Sequence, residues 1–103
     1  MKKDIKKSRQ RTIKWGDADI EALVQAFLSM KTPSEMRAFL RDLLTESEII
    51  EFSKRFRAAR SLAKSIHYSA IEEQTGLSSR TIARVKRWYK HGEGGYRTAI
   101  KRS

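Results

Sequence analysis

At 103 residues with 39% hydrophobic side chains, the chain has room for one domain with a modest core, and the lack of cysteine excludes disulfides and thiolate zinc sites. Its net charge of +11 is unevenly spread: residues 1–14 hold seven Lys or Arg against Asp4, residues 76–103 hold eight against Glu93, and residues 15–75 hold eight against ten acidic side chains. Basic ends on a near-neutral body suit a phosphate-bearing partner, because each cation set on a phosphate releases a condensed counterion. They suit a membrane less, because the basic arm lacks an apolar Trp, Phe and Leu stripe.

No stretch approaches the roughly 20 apolar residues of a membrane span, and Met1 to Lys14 has no apolar signal core, so a cytoplasmic protein is expected. Met1 to Lys14 reads as a disordered basic arm that tracks phosphates, enters a minor groove, or simply solubilises the chain. A helical dimerisation body is expected over 15–67. Trp15 and Gly16 mark its entry, and Asp17 or Asp19 caps a helix with Ile20, Leu23, Val24, Phe27 and Leu28 on one face.

Thr32, Pro33 and Glu35 give the next start: a Thr cap, Pro at the first helical position and Glu at the third. Met36, Phe39, Leu40, Leu43 and Leu44 form its apolar stripe. Thr45 and Glu48 repeat the capping box and open the longest helix, expected to run to about Ser65 and to bury Ile49, Phe52, Phe56, Ala59, Ala63 and Ile66. Lys54, Arg55, Arg57, Arg60 and Lys64 line the opposite face.

Residues 68–89 read as a helix-turn-helix. Ser69 and Glu72 can cap its first helix, which ends at Gly76, where only a residue without Cβ takes a left-handed backbone at low cost. Leu77 fills the corner and Ser78 caps the second helix. That helix buries Ile82, Val85 and Tyr89 and exposes Ser79, Arg80, Thr81, Arg84 and Arg87. Arginine pairs with guanine O6 and N7, and hydroxyls serve base edges or phosphates, so this face suits a major groove. Glu72, four residues before Gly76, stands where a close helix crossing usually takes a small side chain. Residues 90–103 read as a glycine-rich turn leading into a basic tail. No period-2 strand pattern occurs, so the fold is expected to be all-α with five or six helices.

From about Trp15 to Trp88 the chain resembles the tryptophan-repressor family, through Leu43-Leu44-Thr45-x-x-Glu48, Arg55 and Arg57, and Thr81-Ile82-x-Arg84. The segment Tyr89 to Tyr96 is similar to its YerC/YecD branch, whose members end in a comparable glycine-rich stretch. The resemblance implies an intertwined homodimer in the bacterial cytoplasm or nucleoid that binds operator DNA and represses transcription. It places Ser79 and Arg80 at base edges, Thr81 at a phosphate, Ala83 at a further base-facing site and Ser69 at a phosphate-contacting site. It also puts Arg55 and Arg84 at the two walls of the family's tryptophan pocket, with Thr45 contributing. Val85 stands in place of the glycine that leaves room for the ring, and Trp88 replaces a small polar residue. Tryptophan binding is therefore not expected.

His67 and His91 have no Cys or paired carboxylates at ligand spacing, and Gly92 to Gly95 lacks the Lys-Ser/Thr ending of a P-loop, so neither a metal site nor an enzyme is expected. The wide apolar stripes of the first two helices point to a homodimer that would present two recognition helices about 34 Å apart. The competing reading is an architectural protein that coats double-stranded DNA through its basic ends without selecting sites.

Overall fold

Side-chain caps set most of the helix starts in the computed structural model, which describes residues 12–103. Six helices and no strand occur among these residues: α1 Ala18–Ser29, α2 Pro33–Leu43, α3 Glu46–Ala63, α4 Tyr68–Thr75, α5 Ser79–His91 and α6 Gly95–Lys101. Most of the expected arm, residues 1–11, lies outside the described residues. The chain divides after Leu40, inside α2, into two units.

In the first unit, Asp17 caps α1, its Oδ1 accepting the Asp19 N–H at 2.9 Å and the Ile20 N–H at 3.1 Å. Thr32 caps α2 through the Glu35 N–H at 3.1 Å, and Pro33 occupies the first helical position, where its missing N–H costs nothing. The Glu35 carboxylate reaches back to the Lys31 N–H at 2.8 Å, one residue before the cap. Phe27 and Phe39 meet edge to face with ring centroids 5.3 Å apart. No residue of α1 or α2 is buried, and Leu28 is 73% exposed.

The second unit carries the core. Thr45 and Glu48 form the expected capping box of α3: Thr45 Oγ1 accepts the Glu48 N–H at 3.1 Å and Glu48 Oε1 accepts the Thr45 N–H at 2.9 Å. The buried side of α3 differs from the expected one. Ala59 is buried as expected, but its buried neighbours are Ala58 and Ser61, whereas Phe52 is 46% exposed and Ala63 is exposed. The core face is thus rotated by about one residue's step, roughly 100°, from the expected stripe. The small side chains at 58 and 59 let α4 and α5 approach, so the larger apolar residues end up on another side. Ala58, Ala59, Ile71, Leu77, Ile82 and Val85 form the core, with Leu62, Ile66, Tyr68, Tyr96 and Ile100 packed around it.

The long helix stops at Ala63, short of Ser65. Ser65 takes a left-handed backbone, φ 61°, its N–H donating to the Leu62 carbonyl at 3.0 Å while the Ile66 N–H donates to Ser61 at 3.0 Å. These paired bonds close the helix end in the manner usually given to glycine.

Candidate nucleic-acid interface

The loop after α3 delivers His67, and this residue, not Ser69, caps α4. His67 Nδ1 accepts the Ser69 N–H at 3.2 Å, so Tyr68 and Ser69 are already helical and the expected Ser69–Glu72 box does not form. Ser69 Oγ instead lies 3.1 Å from His67 Nδ1. A capping imidazole is a poor sequence signal beside a serine two residues later, which is why the serine drew the assignment.

The turn is built as expected at Gly76, φ 75°, whose N–H donates to the Glu72 carbonyl at 2.8 Å. A second tie was not legible. The buried Thr75 hydroxyl donates to the Ile71 carbonyl at 2.7 Å and accepts the Leu77 N–H at 3.1 Å, so one side chain serves two backbone groups at the corner. Leu77 fills that corner at 7% exposure. Glu72 is only half-buried, and α4 and α5 still close on each other through Ile71 and Ile82, both 0% exposed. Arg57 donates to the Gln74 carbonyl at 3.2 Å, placing a cation at the C-terminal end of α4 where the helix dipole favours it.

On α5, Ser78 Oγ accepts the Thr81 N–H at 3.1 Å and caps the helix as expected. Ile82 and Val85 are buried and Tyr89 is half-buried, which fixes the opposite surface outward. That surface exposes Ser79, Arg80, Ala83, Arg84 and Arg87, with Thr81 half-buried at its edge. Among the described residues the single ion pair is Arg55–Glu51 at 3.3 Å, so no carboxylate neutralises the arginines of α5.

The segment expected as a basic tail is the helix α6. Tyr96 and Ile100 pack on the core, and Arg97 folds back to donate to the Tyr89 carbonyl at 2.9 Å and the Lys90 carbonyl at 3.1 Å, with its guanidinium 5.3 Å from the Tyr89 ring centroid. A Cβ at Gly92 would clash with the Trp88 carbonyl and lie 2.6 Å from Trp88 Cε3, so only glycine lets the chain turn there. The glycine-rich run hid this helix in the sequence.

Arg55 and Arg84 both line an open cavity of about 300 Å³ that also meets Thr81, Val85, Trp88 and Tyr96. Thr45 does not line it; its hydroxyl is engaged at the start of α3. Arg55 is held by Glu51 and lies 5.6 Å from the Phe52 ring centroid. Among the described residues no group of His, Asp and Glu is placed to hold a metal, and no helix is long and apolar enough to cross a membrane.

Residues 18–103 match the family described as Trp repressor protein. Protein YerC of Bacillus subtilis (strain 168) is 37% identical over 84 residues, which cover 82% of this chain and 81% of YerC. The crystal structure of a TrpR-like protein from Eubacterium eligens ATCC 27750 superposes with a TM-score of 0.82 at 38% identity, covering 85% of this chain and 91% of that one. A Staphylococcus aureus protein assigned as a Trp repressor gives a TM-score of 0.80 at 30% identity, covering 88% and 94%.

Proposed function

This chain belongs to the Trp repressor family, one of regulators and not of enzymes, and on that premise we propose that it is a sequence-specific DNA-binding transcriptional regulator, acting as a dimeric repressor. The observation that carries the reading is the outer surface of α5. Its core side is anchored by Ile82 and Val85, its first turn is capped by Ser78, and Ser79, Arg80, Arg84 and Arg87 stand exposed without acidic partners among the described residues. Such a helix fits a major groove with its N-terminal turn against base edges, Ser79 and Arg80 reading and Thr81 meeting a phosphate. Ser69 and Ser78 lie at the two helix starts of the motif, where hydroxyls can meet the backbone.

The dimer is supported by the first unit. Leu23 is 40% exposed and Leu28 73%, and no residue of α1 is buried, which leaves an apolar stripe for a second copy to cover. Two copies related by a two-fold axis would set their α5 helices into successive grooves.

Tryptophan has no part in this reading as a co-repressor. Arg55 and Arg84 share a cavity, but Val85, Trp88 and Tyr96 share it too, and its volume of about 300 Å³ is at the bottom of the range of roughly 300–1,000 Å³ for small-molecule sites. The test is selection of fragmented genomic DNA by the purified protein at near-physiological salt, with and without tryptophan, followed by sequencing. Recovery of a few sites sharing a two-fold motif, unchanged by tryptophan, is expected. Retention without a motif would replace the regulator by an architectural protein, and tryptophan-dependent recovery would restore the ligand.

A further inference from the structure

The base-reading surface of α5 has two flanks. On one, Arg55 is already neutralised by Glu51. The other holds a separate cavity of about 360 Å³, lined by the apolar Leu62 and Ile66 together with Ser65, His67, Tyr68, Lys86 and Lys90, and by no carboxylate among the described residues.

Two of its polar side chains, Lys86 and His67, are oriented by contacts that involve no carboxylate. The Lys86 ammonium stands 5.4 Å from the Tyr68 ring centroid, a contact that positions the cation without removing its charge. Lys90 follows one helical turn later, about 5–6 Å away at Cβ, close enough for both ammonium groups to meet one tetrahedral anion. His67 Nδ1 accepts the Ser69 N–H, so the neutral ring carries its proton on Nε2 and keeps one donor on a residue that lines the cavity. Ser65 adds a hydroxyl, from a residue that the left-handed backbone sets at the cavity edge.

We infer that the His67–Lys86–Lys90 cavity is a seat for one backbone phosphate of the bound duplex, shared by both lysines. This rests on the DNA-binding reading and adds to it a contact that carries no base information. The seat fixes the register of α5 along the groove, while Ser79 and Arg80 discriminate sequence.

The test compares the wild-type chain with Lys86→Gln, Lys90→Gln and the double variant on a duplex retained in the genomic selection, titrating affinity against salt. A single shared phosphate predicts that the slope of log Kobs against log [salt] falls by about one unit in the double variant, and by no more than that. The ratio of affinities for the selected and a scrambled duplex should stay unchanged. A scan of neutral methylphosphonates should find one backbone position where the substitution weakens wild-type binding but has no further effect on the double variant. An unchanged slope, a fall of about two units, or a methylphosphonate effect that persists in the double variant would overturn the shared seat and leave the regulator standing. If the wild-type chain bound no duplex at all, both readings would fall. Lys90 is exposed, so Lys90→Gln alone keeps the test open should the Lys86 variant lose its Tyr68 contact and fold poorly.

Discussion

The two units of the chain solve the same problem of covering apolar helix faces in different ways. Residues 41–103 close on themselves: Ala58, Ala59, Ile71 and Ile82 reach 0% exposure, and Thr75, Arg57 and Arg97 bind the carbonyls of α4 and α5. Residues 12–40 pair one aromatic contact with well-made caps and bury no side chain of α1. Good local signals thus fix where a helix starts, but only tertiary burial holds it, since isolated helices of this length are marginal in water. The difference teaches that the part carrying the helix-turn-helix owns its core and that the first part depends on something laid against it.

The largest effect should come from Ile82→Ala. It leaves a cavity under α5 and should cost about 2–5 kcal/mol in urea unfolding; a loss under 1 kcal/mol would mean that the self-contained core is misjudged. Leu28→Glu should leave that core alone and shift the proposed dimer to monomer in sedimentation equilibrium, because it sets a charge on the apolar stripe of α1. An unchanged mass would erase the contrast between the units. Thr75→Val removes the acceptor of the buried Leu77 N–H and should destabilise by about 1–3 kcal/mol. Arg80→Ala, on the exposed side of the same unit, should instead spare stability and relax preference at one base pair by about 1–3 kcal/mol, read by competition against single-base operator variants. The smallest change is expected from Ser65→Gly. Relief of the left-handed backbone, offset by a freer unfolded chain, should leave a gain of about 0.5 kcal/mol, visible as a small rise in Tm.

What the sequence disclosed follows from the range of the forces involved. Thr32, Thr45 and Ser78 were legible as caps, and the first cap was narrowed to Asp17 or Asp19, because a cap bonds within three residues of itself. Gly76 and the Ile82–Val85 stripe were legible for the same local reason, and with them the outward placement of Arg80 and Arg84. The buried side of α3 was not, because Phe52 and Phe56 outweigh Ala58 and Ala59 in any count of apolar residues, whereas close helix approach favours the smaller pair. His67 and Thr75 also bond within four residues of themselves, but an imidazole cap and a threonine tied to two backbone groups are weak signals in a sequence. Arg97 as a clamp, by contrast, reaches carbonyls seven and eight residues away that only the fold brings near. The glycines before α6 read as a break, although Gly94, at φ 88°, is the residue that begins that helix.

Arg97 has a practical consequence for handling the protein. Because its guanidinium closes the Tyr89 and Lys90 carbonyls of α5 from six residues before Ser103, a purification tag or fluorophore attached beyond Ser103 leaves the clamp untouched. A clone shortened to end at Gly95 would release it, fray the end of α5 and strip Tyr96 and Ile100 from the core. Such a clone would be a misleading stand-in for the whole chain in any screen of binding sites.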